Sequence, residues 1–314
     1  MLFSKILKEF IKRKKLLLII FLILINFSIF FIKLSGCYND KPRGKSLSYI
    51  VKIKKISDKT DSTKIVEQLT EKLDSSFSII SRFPFVIAGN YSAQYLDRIA
   101  ERNIFKVSKI LKRDYFTRGP TSDIIILLFR GQESYRKWAR ILLNDMNPPY
   151  FGYFRHDINT LIMDFETGSG TLLHELTHAL VRYDFPDIPL WFNEALATLH
   201  EGCYVEDAGI RGAINWRLKI LKSAIRKNST RNLSDIINSS DFYEEKYVDI
   251  NYAEIRYFAM YMQLKRKLKL FYRKFRDAWG ETKHPDAVKI IEEIFGKSIL
   301  SIQTDFISWV KSLK

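Results

Sequence analysis

The spacing of hydrophobic positions changes along the chain from a mixed pattern to a purely helical one. Within 85–163, short apolar runs alternate with helical spacing, and the uninterrupted run Ile124–Phe129 predicts a buried central strand. Segments 150–154 and 159–163 predict a strand pair that turns near His156. This part of the chain is therefore predicted to form an α/β lobe. Its two expected amphipathic helices cover 96–111 and 135–143.

After Gly170 the strand signals stop and helical spacing alone recurs. The helical ranges are 210–225, 255–271, 287–295 and 299–313. Pro285, Gly296 and Ser298 stand where helix starts and stops are expected. The two halves together predict an α+β fold, with an α/β lobe over 61–200 and a helical lobe over 201–314.

The amino terminus is typical of a membrane-directed segment. Residues 1–15 contain six Lys or Arg, and 16–32 are apolar except for one Asn and one Ser. This charge bias predicts a cytoplasmic N-terminus and an extracytoplasmic body. We therefore expect a signal peptide or membrane anchor over 1–36 and a polar linker over 37–60.

Residues 34–37 read L-S-G-C, which resembles the bacterial lipobox, in which cleavage exposes a Cys for lipid attachment. Lipidation of Cys37 would tether the body to the membrane. Lys33 is atypical at that position and favours an uncleaved single-pass anchor. A signal peptide cleaved without lipid attachment is the third alternative.

Composition narrows the class of protein. The 314 residues carry a net charge of +16 and are 46% apolar, which excludes a disordered or fibrous protein. The only two cysteines are Cys37 and Cys203, so a disulfide scaffold and a cysteine-rich zinc ribbon are excluded.

Seven Lys or Arg cluster in 265–276, a pattern typical of a solvated face or of contact with anionic lipid. No nucleic acid partner is expected, because no stacking motif accompanies these charges.

One motif carries chemistry. Residues 170–180 read G-T-L-L-H-E-L-T-H-A-L, which places His174 and His178 one helical turn apart. Two neutral imidazoles on one helix face can bind one zinc ion, which also needs a third protein ligand and an open position for water. Glu175, beside His174, is the candidate general base.

Three residues compete for the third ligand. Asp184 would need a glycine turn where Val181 stands, so it is disfavoured. His200 has a suitable side chain but is expected to be an exposed residue at a helix end. Glu194 fits best, because the loop before Pro189 lets a second helix fold back against the first.

The segment P-L-W-F-N-E-A-L-A, with fifteen residues between His178 and Glu194, resembles the gluzincin zinc peptidases, especially the peptidase MA-like group. One departure is Ala195, where the family more often has Gly. The resemblance implies a zincin-like α/β lobe with an active-site helix, closed by a helical C-terminal lobe. It also implies that His174, His178 and Glu194 bind Zn²⁺ and that Glu175 is the general base.

The same resemblance implies two further features. An antiparallel edge strand beside the active-site helix would pair with substrate, and the matching segments are 159–163 and 152–154. A donor from the helical lobe would stabilise the oxyanion. Tyr252 is the preferred candidate, and Tyr247 and Arg256 are the alternatives.

The expected function is a membrane-tethered, extracytoplasmic zinc metallopeptidase that acts on a peptide or protein. The alternatives are a catalytically silent cell-envelope module that binds peptides or glycans, and a zinc hydrolase of a non-peptide amide. Cys203 is expected to be a small buried residue with no catalytic role.

Overall fold

The computed structural model describes the body of the protein, residues 62–282 and 284–314. The predicted signal or anchor, the lipobox Cys37 and the linker 37–60 lie outside these residues. Within them, no helix has both the length and the apolar character needed to cross a bilayer.

The fold is α+β, as predicted. Its strands are β1 Ser78–Arg82, β2 Phe85–Gly89, β3 Ile124–Phe129, β4 Gly152–Arg155, β5 Thr160–Asp164, β6 Cys203–Glu206 and β7 Gly209–Gly212. Its helices are α1 Ser62–Lys72, α2 Ala93–Ile99, α3 Lys106–Asp114, α4 Gln132–Leu143, α5 Ser169–Asp184, α6 Leu190–Glu201, α7 Arg217–Arg226, α8 Leu233–Ile237, α9 Val248–Leu264, α10 Leu268–Glu281, α11 Ala287–Phe295 and α12 Ile299–Ser312. A π-helical segment, Ala100–Phe105, joins α2 to α3.

A five-stranded mixed sheet organises the N-terminal half. Its order is β1-β2-β3-β5-β4, with β2, β3 and β5 parallel and the two outer strands antiparallel. The predicted central strand Ile124–Phe129 is confirmed, and all six of its residues are buried. Alternate residues of β3 face opposite sides of the sheet and belong to two different hydrophobic clusters. Both faces of the sheet are therefore buried, and helices cover them.

The position of the outer strand corrects one prediction. Segment 159–163 was expected to contribute to the sheet edge, but β5 lies between β3 and β4, so the edge strand is β4. Each residue of β5 is buried, as in any interior strand. Gly152, at the start of β4, has φ +153°, and a Cβ there would come within 2.3 Å of the Met163 Cβ atom. Glycine is therefore needed for β4 to begin so close to β5.

The C-terminal half differs from the prediction in two places. The β6–β7 hairpin was missed, and Ile210 belongs to β7 and not to the predicted helix, which begins only at Arg217. Gln263 holds the hairpin by accepting from the Gly212 N–H and donating to the Ile210 carbonyl. The hairpin therefore depends on a contact that is remote in sequence.

The second difference concerns the helix expected over 255–271. It is interrupted between α9 and α10, where Arg266 adopts a left-handed conformation with φ 58°. The helices α11 and α12 follow the predicted punctuation more closely, with Gly296 left-handed and the Ser298 side chain capping α12. Pro285 precedes α11 and is not inside its first turn, because Asp286 is the capping residue.

Three helices form the framework of the candidate site. The helix α6 packs against α5 on one side and α9 on the other, and α5 also contacts β4. A single hydrophobic core continues from the sheet through α5 and α6 to α9. Polar groups on the facing sides of α5 and α6 are consequently held between rigid, packed elements.

Candidate metal centre

The structure brings His174, His178 and Glu194 together. The two histidines lie on α5 and the glutamate on α6, and one ligand atom of each falls within 4.8 Å of the others. The Nε2 atoms of His174 and His178 are 3.1 Å apart. Glu194 places Oε2 3.6 Å from His174 Nε2 and Oε1 3.9 Å from His178 Nε2.

These distances fit a tetrahedral zinc ion. Zinc–ligand bonds of about 2.0–2.1 Å separate neighbouring ligand atoms by about 3.3 Å in a tetrahedral site. The nitrogen pair, at 3.1 Å, is slightly closer than this. The two nitrogen–oxygen distances, 3.6 and 3.9 Å, are longer and involve different oxygens of Glu194.

A hydrogen bond at one ring and a longer ionic contact at the other hold the two imidazoles. His178 Nδ1 lies 2.9 Å from Asn193 Oδ1, and His174 Nδ1 lies 3.8 Å from Glu201 Oε2. An Nδ1–H of His178 donated to Asn193 Oδ1 would leave the Nε2 lone pair of that ring free to bind a metal.

Glu201, at the end of α6, is fixed by an ion pair. The buried Arg217 guanidinium donates to both Glu201 oxygens, at 2.8 and 2.9 Å. Burial opposes ionisation of Glu201, but Arg217 and His174 outweigh it and lower the pKa of this carboxyl to about 2. A Cβ at Gly170 would come within 2.8 Å of the Glu201 carbonyl oxygen, so glycine permits this close approach of α5 and α6.

Two further carboxyl groups of the site, those of Glu194 and Glu175, are buried. Glu194 is 7% exposed, and none of the described residues donates a hydrogen bond to its Oε2. Glu175 is also buried, and burial raises the pKa of its carboxyl, while the two histidines oppose that rise. Arg217 pairs with Glu201, which leaves Glu194 and Glu175 as the carboxyl groups of the site that an arginine does not occupy.

Two tyrosines face Glu194 from the C-terminal half. The Tyr243 hydroxyl donates to Glu194 Oε1 at 3.0 Å. Tyr252, on α9, is buried, and burial together with the Glu194 carboxylate raises the pKa of its phenol well above the usual value. The other candidates lie elsewhere: Tyr247 contacts the Arg231 guanidinium, and Arg256 donates to the carbonyls of Gly202 and Ala213.

The two other candidates for the third ligand, Asp184 and His200, contact groups outside the candidate metal site. Asp184 accepts from the backbone N–H groups of Thr117 and Arg118 and pairs with Arg276 at 2.7 Å. His200 was expected to be exposed, which is wrong: it is 1% exposed, because α6 is buried between α5 and α9. Its Nδ1 lies 3.0 Å from Thr177 Oγ1, and burial lowers its pKa to about 3.

Cys203 is partly buried against the core, and burial raises the pKa of its thiol to about 11. A thiol with so high a pKa is a poor nucleophile at neutral pH.

Four residues of the site were missed by sequence reasoning. Asn193 and Glu201 had a local signal, since one adjoins Glu194 and the other lies two helical turns further along the same helix. Arg217 and Tyr243 had none, because they reach the site only through the packing of remote segments.

Comparison with known proteins adds no family assignment: no protein-family model matches the chain, and no curated protein matches it. The resemblance to gluzincin peptidases therefore stays a prediction from the sequence of α5 and α6.

Proposed function

We propose that the protein is a membrane-tethered, extracytoplasmic zinc metallopeptidase with a zincin-like fold. One observation carries the proposal: two imidazoles from α5 and a carboxylate from α6 converge on one point beside a buried glutamate. His174, His178 and Glu194 would hold the metal, and Glu201 and Asn193 would keep the two rings in position. The membrane tether is inferred from the amino-terminal sequence alone.

The chemistry follows from the residues around that point. Zinc, when bound, supplies Lewis acidity to a site of this kind. Glu175 accepts a proton from the attacking water and delivers it to the leaving amine, a task favoured by its raised pKa. Tyr252, a buried phenol beside Glu194, would be the donor to the charge that develops on the scissile carbonyl oxygen, whereas the Tyr243 hydroxyl already donates to Glu194 Oε1.

The edge strand suggests how a substrate is held. The outer strand β4 lies next to α5, the helix that carries both histidines. An extended peptide can add to such an edge through main-chain hydrogen bonds, which place its backbone without requiring a particular sequence. A peptide is therefore the substrate class that this arrangement favours.

The test is the Glu175→Gln variant of the full chain, assayed with a peptide library and by metal analysis. Loss of a general base lowers turnover by about 10²–10⁴-fold, whereas zinc content is expected to remain at the wild-type level. Glu133→Gln, an exposed position on α4, is the matched control and should keep full activity. Wild-type protein without zinc, or a Glu175→Gln variant as active as wild type, would refute the proposal.

A further inference from the structure

The corner between α9 and α10 combines apolar and cationic side chains at the surface. Its sequence from 264 to 270 is L-K-R-K-L-K-L. Leu264 and Leu270 are 58% and 50% exposed, although both flank a well-packed helix junction. The helix α9 ends at Leu264, and the left-handed Arg266, two residues later, lies in the turn that leads to α10.

The structure divides the basic cluster of 265–276 into two groups. Lys269, Lys274 and Arg276 have carboxylate partners, which are Asp114, Glu293 and Asp184. Lys265, Arg266 and Lys267 have no carboxylate at ion-pair distance within 62–282 and 284–314. Arg273 has no carboxylate at that distance in those ranges either, but its guanidinium donates to the Asp114 backbone carbonyl at 2.8 Å. Of the four cations between the exposed leucines, only Lys269 has a carboxylate partner among the described residues.

We propose that this corner, residues 264–270, docks on an anionic lipid surface. Cations next to exposed leucines suit the boundary between headgroups and acyl chains, where the charges meet lipid phosphate and the leucines enter the apolar layer. Single-stranded nucleic acid is a poorer match, because it is bound by aromatic side chains, and the corner contains none.

A membrane anchor at the amino terminus would make even weak docking of this corner on lipid effective. If residues 1–36 hold the chain in the membrane, the linker keeps the corner at a high effective concentration near lipid. Each cation near an anionic surface strengthens binding roughly fivefold, so three of them contribute a factor of about 100.

Docking would also place the candidate metal centre near the membrane. Tyr252 precedes Leu264 by twelve residues on α9, which corresponds to about 18 Å along the helix. If the proposed function holds, the substrates within reach are peptide segments close to the bilayer surface.

The experiment places the full chain in lipid nanodiscs and follows backbone hydrogen exchange of residues 263–270. Exchange is expected to be slower on discs containing anionic phospholipid than on discs of zwitterionic phospholipid alone. The triple variant Lys265→Gln/Arg266→Gln/Lys267→Gln should lose this difference, since its docking constant falls about 100-fold. The pair Leu264→Ser/Leu270→Ser should weaken the protection by removing the apolar contact.

A variant with the same change in charge controls for overall electrostatics. Lys219→Gln/Arg226→Gln/Lys227→Gln lies on exposed positions of α7 and its C-terminal end and should keep the protection. Equal exchange on both kinds of disc, or equal loss in both triple variants, would overturn the proposal. Protection of 263–270 by added RNA but not by anionic lipid would overturn it as well. Zinc content and peptidase activity are not read in this experiment, so its failure is separate from failure of the proposed function.

Discussion

Replacing Asn193 by Leu tests whether the site is organised for metal binding. The Asn193 Oδ1 atom, 2.9 Å from His178 Nδ1, fixes the ring so that Nε2 faces His174 and Glu194. Loss of such an outer partner typically weakens metal affinity 10- to 100-fold, or by about 1.4–2.7 kcal/mol. The assay is competition for zinc against a chromophoric chelator at neutral pH.

The matched variant is Asn193→Asp, which keeps an oxygen acceptor of nearly the same shape at the same position. Its zinc affinity should equal or exceed that of wild type, because a carboxylate partner makes the imidazole a better ligand. Asn193 is half-buried, so thermal unfolding of both metal-free variants shows whether Leu disturbs the fold. If the Leu variant folds normally and binds zinc as tightly as wild type, our account of ring orientation is wrong.

Two predictions concern buried charges. Glu254 has a pKa of about 8, raised by burial from an ordinary 4.5, so the folded state holds a proton that the unfolded state releases between these values. Stability should fall as pH rises through that window, by at most about 1.4 kcal/mol per pH unit, and Glu254→Gln should flatten the slope measured by urea unfolding. Parallel slopes would contradict this. Arg276→Met should lower stability by about 3–5 kcal/mol, because it removes the cationic partner of the buried Asp184. Arg273→Met, at an exposed position on α10, is the control in the same urea titration, and equal losses would refute the role of the ion pair.

Asp184 and Glu201 show how ionic contacts join the two halves of the fold. Asp184 ends α5 and receives Arg276 and the Tyr272 hydroxyl from α10, together with the backbone N–H groups of residues 117 and 118. Glu201 ends α6 and receives Arg217 from α7. The two helices that carry the candidate ligands are thus each anchored at the C-terminal end by an arginine from the C-terminal half.

Much of the sheet could be predicted because its strands are buried. Ile124–Phe129 reads as a strand since an interior parallel strand has both faces in the core and so needs apolar residues throughout. The strand β1 was not predicted, because its outer position allows polar and apolar residues to mix. The β6–β7 hairpin escaped for a related reason: its four-residue strands alternate in exposure and are held from outside by Gln263.

The sequence alone determined the helix spacing that aligns His174 with His178, because residues four apart on a helix share one face whatever surrounds them. It also determined that Glu194 would stand on a second helix after a short loop. Only the tertiary structure decided how the two imidazole rings are oriented and which groups contact the carboxylates of the site. Arg217 and Tyr243, which contact Glu201 and Glu194, come from segments 23 and 49 residues beyond Glu194. Local periodicity reports which face of an element is buried, but the partner across that face is chosen by packing of the whole chain.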